Sequence, residues 1–249
     1  MMGHDRSVIV TYHSLDTTGS ALSTAPDLFR IQMETLARSG TRVVPLLSLQ
    51  GCPGSVALTF DDGYRSFFEH ALPILLEYQF PATVFVVTGF CGLHNGWRSR
   101  QRHTSRMELM GWRELREAAR FCVALGAHTV HHPDLSTLSD DEVERELRDC
   151  RTSLEDQTGQ VVETFAYPYG ASSPAVRLAV SRQFRLGCGT ALRFVDSRSD
   201  PFVLPRVDAR HRRWPWWFGR LVSEPSEAYL AVQRWKRSAS AALLGRRIK

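Results

Sequence analysis

Asp61 and Asp62 stand side by side at the end of Val56-Ala-Leu-Thr-Phe-Asp-Asp-Gly63, a strand-forming run bounded upstream by Pro53-Gly54. The carboxyl end of a buried strand is where α/β folds place their chemistry. Because side chains alternate along a strand and Gly63 bends the chain, the two acids can face different targets, one a metal and one a water. Alone, an Asp-Asp-Gly is more often a solvated turn. A second stretch, Gly126-Ala-His-Thr-Val-His-His-Pro-Asp-Leu135, changes that weighting. His128 and His132, four residues apart, suit two imidazoles converging on one ion. With one carboxylate they make an ordinary ligand set for catalytic zinc that leaves positions open. His131 is present beside them. One isolated histidine is usually structural, but a strand-end Asp-Asp together with His-Thr-x-x-His-Pro is a joint pattern that chance rarely supplies.

Thr59-Phe60-Asp61-Asp62-Gly63, His128-Thr129-x-x-His132-Pro133 and Tyr167-Pro168-Tyr169-Gly170 resemble, in order, the first three motifs of the polysaccharide deacetylases, carbohydrate esterase family 4. The resemblance covers roughly residues 8 to 208, including Tyr12-His13 and Gly111-Trp112-Arg113-Glu114-Leu115. It implies a distorted parallel (β/α) barrel and metal-dependent hydrolysis of an N-acetyl group. In it Asp62, His128 and His132 hold the metal and Asp61 is the general base. The backbone N–H of Tyr169 stabilises the oxyanion, and Tyr167, Pro168, Tyr169 and Trp112 contact substrate. The chain departs from the pattern in two respects. Ala166 stands where many relatives carry an Arg that tunes the base, and there is neither an Asp-x-x-Asp-Trp nor a late Leu-x-His to supply the acid. His13 can take the acid's place, because first and last strands adjoin in a barrel; His211, embedded in a basic tail, is the weaker substitute.

The elements that must position these residues alternate along the chain. At 249 residues and 43% hydrophobic content, the chain can bury one large core, an α/β fold of about seven strands in a single domain. Strands are expected at 8–12, 43–47, 56–60, 82–87, 123–127, 164–167, 184–188 and 202–207. Helices are expected after Thr24, which can cap with Pro26 in the first turn and Gly40 as the stop, and over 67–78 with an interruption at Pro73. Further helices are expected over 112–121, from the capping box Ser139-x-x-Glu142, and over 174–182. Val143, Leu147, Cys150 and Leu154 fall at helical spacing as core. The stretch 89–110 is too long for a simple connection and is either a substrate-binding loop or a solvated lid. The five cysteines show no paired metal-type spacing and read as reduced thiols.

With no apolar leader and no run able to span a bilayer, a cytoplasmic location is expected. The domain division falls at 209, with a barrel over 1–209 and an extension over 210–249. That extension holds ten Arg or Lys residues against Glu224 and Glu227, a formal charge of +8, which leaves 1–209 at −3 within a whole-chain +5. It also carries Trp214, Trp216, Trp217 and Trp235, a composition suited to an anionic membrane surface. Nucleic acid is the weaker rival partner; packing of the aromatics onto the barrel is the structural alternative. The expected activity is therefore zinc- or other metal-dependent N-deacetylation of a saccharide, with a lipid-linked or glycan-biosynthesis intermediate as substrate and the enzyme peripheral on the inner membrane face. Two alternatives stay open: an amidohydrolase for a small non-sugar amide, and a saccharide-binding protein of the same fold without turnover.

Overall fold

The computed structural model describes residues 6–97 and 106–209, together with Phe218, Gly219 and Leu230. In chain order the strands are β1 (Val8–Tyr12), β2 (Ser14–Leu15), β3 (Ser23–Thr24), β4 (Val56–Phe60), β5 (Ala82–Val86), β6 (Val123–Ala127), β7 (Thr164–Ala166), β8 (Leu186–Cys188) and β9 (Val207–Asp208). The helices are α1 (Pro26–Ser39), α2 (Leu72–Tyr78), α3 (Trp112–Ala118), α4 (Asp140–Thr158) and α5 (Pro174–Gln183). Seven strands form one parallel sheet in the order β8-β7-β6-β5-β4-β1-β9, and β2 pairs with β3 apart from it. This is the expected distorted (β/α) barrel, a sheet curled on itself with helices outside.

Period-two alternation divides the core. Val8, Val10 and Tyr12 of β1, Val56, Leu58 and Phe60 of β4, and Val84 and Val86 of β5 join the larger cluster with the helices. Ile9, Ala57, Phe85, Ala166, Cys188 and Leu204 make the second cluster, inside the curl. Gly126 is required there: a Cβ on it would lie 2.5 Å from the Phe85 ring, so glycine on β6 is what admits that ring from β5. Truncating Phe85 to Ala would cost about 3–5 kcal/mol by opening the interior.

The two edges of the sheet are tied by residues 201–208. Leu204 pairs with Cys188 beyond β8, with Leu204 N–H to Gly187 O at 2.8 Å, and three residues later Val207 pairs with Val10 of β1. Between these attachments stand Pro205 and Arg206. Phe218 and Leu230 are fully buried in the larger cluster, and Gly219 lies against Thr35 of α1. The remainder of the basic extension, His211 included, lies outside the described residues, as does most of the division placed at 209.

Several local expectations need correction. Thr24 does not cap α1: it is buried in β3, and the N-cap is Ala25, without a side-chain bond. Pro26 and Gly40 do bound that helix, Gly40 at φ 68. The run 43–47 is not a strand, because Pro45 removes a donor and the chain passes into a 3-10 turn over Leu46–Gly51; only Val43 bridges Val56. The strand expected over 202–207 is reduced to Val207–Asp208. Pro73 does restart the helix over 67–78, after a wide turn at Phe67–Ala71. The Ser139–Glu142 capping box opens α4, whose Val143, Leu147, Cys150 and Leu154 are buried.

Candidate active site

Asp61 and Asp62 diverge because the backbone reverses between them. Asp61 still belongs to the ladder, its N–H donating to Tyr12 O at 2.9 Å, and with Ala57 and Thr59 it shares the inward parity of β4. Asp62 adopts φ 71, a left-handed conformation costly for a residue with a Cβ, and Gly63 follows at φ 77. Both acids are 5% exposed.

Asp62 faces the histidines. Its Oδ1 is 3.3 Å from His128 Nε2 and 3.3 Å from His132 Nε2, and the three side chains are the only His/Cys/Asp/Glu group among the described residues whose donor atoms converge as a metal site would require. His128 continues β6, its Nδ1 2.7 Å from Ala166 O. A carbonyl can only accept, so Nδ1 carries the hydrogen and the Nε2 lone pair of the neutral ring is turned toward Asp62. Two acceptors facing each other at 3.3 Å, both buried, suit a cation between them; the donor set of one carboxylate and two imidazoles is that of catalytic zinc. His132 is also left-handed, at φ 57, as is Thr129 at φ 68. Such conformations cost on the order of 1–3 kcal/mol each and persist only where neighbours enforce them. Here the Thr129 hydroxyl accepts from the His132 N–H at 2.9 Å.

Burial alone would raise the Asp62 pKa, but the His128 and His132 rings beside it hold it well below the usual carboxylate range. Burial lowers both imidazole values. In His128 the adjacent Asp62 and Asp61 carboxylates more than offset it, so the value rises, whereas in His132 burial prevails.

Asp61 faces a different partner. Arg206 Nη1 donates to Oδ1 at 2.7 Å and Nη2 donates to Oδ2 at 2.8 Å, a two-point clamp between groups 145 residues apart. Arg206 Nε donates to Gly189 O at 2.9 Å, and the guanidinium lies 5.6 Å from the centre of the Phe85 ring. Burial acts to raise the Asp61 pKa, but the Arg206 charge, followed by those of His13 and His128, brings it below its ordinary value. Where Ala166 offers no cation, Asp61 is thus paired with an arginine from the segment that ties the sheet edges. Sequence reading missed Arg206 because only the closure of the sheet brings it near Asp61; the Pro205-Arg206 pair preceding the last strand was its one local mark.

The other expected site residues divide. His13, just past β1, has Nε2 3.9 Å from Asp61 Oδ2 and is partly exposed. Tyr169 is left-handed at φ 58 and sets its ring edge-on to His132 at 4.7 Å. Tyr167, expected to touch substrate, is 1% exposed, packs edge-on to Phe165, and donates its hydroxyl to Phe202 O at 2.7 Å. Pro168 is buried as well. The alternation that aims Ala166 at the barrel interior turns Tyr167 into the larger core, so both residues support the Tyr169 turn from beneath. Trp112 opens α3 and packs against the larger core. Trp97, not singled out from sequence, lies 4.7 Å from the His132 ring. Within the stretch 89–110, His94 pairs with Glu108 and Leu109 pairs with Tyr64 through the backbone; its residues 98–105 lie outside those described.

The polysaccharide deacetylase family profile matches residues 49–185, more than half of the chain and the part that carries Asp61, Asp62, His128 and His132. The chain belongs to the polysaccharide deacetylase family. Membership makes it a hydrolase of the N-acetyl amide class. Among relatives, YxkH of Bacillus subtilis (strain 168), named for polysaccharide deacetylation, is 23% identical over 208 residues, 80% of this chain and 70% of that protein. The poly-beta-1,6-N-acetyl-D-glucosamine N-deacetylase of Staphylococcus aureus (strain N315) is 27% identical over 194 residues, 73% of this chain but 58% of that protein. The same fold occurs in the Streptococcus pyogenes deacetylase PplD, solved in complex with acetate, at TM-score 0.72 and 24% identity over 82% of this chain and 92% of that one. IcaB from Ammonifex degensii matches at TM-score 0.73 and 22% identity over 87% of this chain and 98% of that one.

Proposed function

We propose that this deacetylase removes an N-acetyl group from a saccharide, with Asp62, His128 and His132 holding a divalent metal, zinc first among candidates. The observation that carries the proposal is the pairing of two opposite environments at one strand end: converging metal-type donors around Asp62, and an ionised, oriented carboxylate at Asp61. When bound, the metal supplies Lewis acidity, lowering the pKa of a water and polarising the amide carbonyl. Asp61, fixed by Arg206, takes the proton of the attacking water. His13, on the open side of Asp61, gives a proton to the departing nitrogen. The backbone N–H of Tyr169 is assigned to the developing oxyanion. Water adds to the acyl carbon, the C–N bond breaks, and acetate and a free amine result. The poly-N-acetylglucosamine deacetylase among the relatives supports a saccharide over a small amide.

The test combines metal content with turnover. Zinc-reconstituted protein is given N-acetylated glucosamine oligomers and small amides while acetate and amine are followed together. Oligomer turnover that disappears with chelation and returns with zinc is the expected result; hydrolysis of small amides alone would move the substrate class. His128→Ala and His132→Ala are expected to lose metal and activity in parallel.

The composition of residues 210–249 supports a finer reading: a cytoplasmic enzyme, peripheral on an anionic membrane surface, acting on a lipid-linked or other intermediate of glycan assembly. No helix of the described residues is long and apolar enough to cross a membrane. Each Lys or Arg near such a surface contributes on the order of 1 kcal/mol before screening. Because Phe218 and Leu230 belong to the core, the clean test is charge reversal at Arg212, Arg213, Lys236 and Arg237, not truncation. Intact protein should float with anionic liposomes and be released by salt, and the reversed variant should not float. Equal flotation of both, or of neither, removes the membrane reading.

A further inference from the structure

The loop between the two histidines has a support outside the metal-type cluster. On one side it is fixed by backbone: Thr88 N–H donates to Thr129 O at 3.2 Å and Gly89 N–H to Val130 O at 2.9 Å. A Cβ on Gly89 would lie 2.6 Å from that Val130 oxygen, so the close approach needs glycine. On the other side the loop is held by the carboxylate of Glu146, on the second turn of α4. Its Oε2 accepts from the N–H groups of Val130 at 2.8 Å and His131 at 3.0 Å, and its Oε1 lies 2.6 Å from His131 Nδ1. The Glu146 side chain is 14% exposed, whereas that of His131 is 68% exposed. One carboxylate therefore gathers two consecutive peptide N–H groups lying between two left-handed residues, Thr129 and His132.

We infer that Glu146 is a positioning residue for the metal site, holding the Thr129–His132 loop in the strained conformation that aims His132 Nε2 at Asp62. This rests on the reading of Asp62, His128 and His132 as metal ligands. Glu146 bonds Val130 and His131 and none of the three metal-type donor atoms; it acts by denying the two peptides the freedom to rotate out of their conformation. The function of His131 follows from this: its exposed ring steadies the Glu146 carboxylate, and it has no role as a ligand.

The experiment measures zinc affinity of the full-length protein by competition with a chromogenic chelator, alongside thermal unfolding of the metal-free form. Wild type, Glu146→Ala, Glu146→Gln, Glu146→Asp and His131→Ala are compared. Glu146→Ala is expected to weaken zinc roughly 10- to 100-fold, the usual effect of removing a partner behind the ligands. Glu146→Gln keeps an oxygen at the right reach for both N–H groups and should stay within a few-fold of wild type. Glu146→Asp keeps the charge but falls short by one carbon, so it should bind more weakly than Glu146→Gln. His131→Ala should be close to wild type. If Glu146→Ala does not fold, the order of the Gln and Asp variants decides: Asp equal to or tighter than Gln overturns the inference. Zinc affinity of Glu146→Ala within twofold of wild type also overturns it. Wild type that takes up no zinc instead removes the ligand reading beneath it, a result distinguishable from either.

Discussion

The two flanks of the Asp61–Asp62 pair are built by different means. The Asp62 flank is assembled from β4 and β6, on the same side of the sheet, with each histidine delivered by one short loop. The Asp61 flank depends on β1 and on residues 201–208, which meet β4 only when the sheet curls round. Adjacent residues thus receive partners from different parts of the chain, Asp62 from its middle and Asp61 from its two outer thirds, one flank suited to holding a cation and the other to holding a charge-balanced carboxylate. Their separation teaches that a motif can specify ligands by itself but cannot specify the electrostatic setting of the residue next to it.

If the flanks divide labour in this way, Asp61→Asn should show the largest effect: turnover lower by roughly two to four orders of magnitude with zinc content retained. Acetate release and metal analysis on the same sample check it, and near wild-type turnover would merge the two flanks. Arg206→Ala leaves Asp61 buried with its principal cation gone, and should cost about 3–5 kcal/mol in urea unfolding. The pH dependence sharpens this prediction. In wild type the folded Asp61 pKa lies below the unfolded value of about 3.9, so its contribution is fully present above that value and is lost as pH falls through the folded pKa. Without Arg206, burial places the folded value above the unfolded one. The variant should then recover stability relative to wild type as pH falls from 7 toward 4, and parallel urea midpoints across that range would refute the clamp's electrostatic role.

His13→Ala should lower turnover roughly a hundredfold while leaving zinc content alone; less than a threefold loss would take His13 out of the Asp61 flank. The smallest effect is expected for Tyr167→Phe. It removes the bond to Phe202 O and should cost about 1 kcal/mol of stability without altering KM. A substantial KM rise would show that Tyr167 meets substrate despite its burial.

What could be read from the residues follows the same division. The β4 and β6 strand ends were legible because a buried strand, a turn and a pair of ligands occupy fewer than ten consecutive residues. So were the Gly40 stop, the Pro73 restart and the Ser139 capping box, whose causes lie within one helical turn. Arg206 was not, since nothing near it in sequence marks its partner. Glu146 looked like one more acid on an amphipathic helix, because only the packing of α4 against the loop brings it under Val130 and His131. The burial of Tyr167 was not legible for a related reason: a motif gives order along the chain, whereas the face on which a side chain emerges depends on where the strand's alternation begins.

The tie made by residues 201–208 bears on when the centre comes into being. During synthesis Asp61 emerges long before Arg206, and a contact spanning 145 residues cannot form until the last third of the barrel has been made. Until then, folding the β4 end into an apolar interior would strand a carboxylate without its counter-ion, so the early chain is discouraged from closing there. Completion of the sheet and neutralisation of the buried Asp61 carboxylate are therefore coupled.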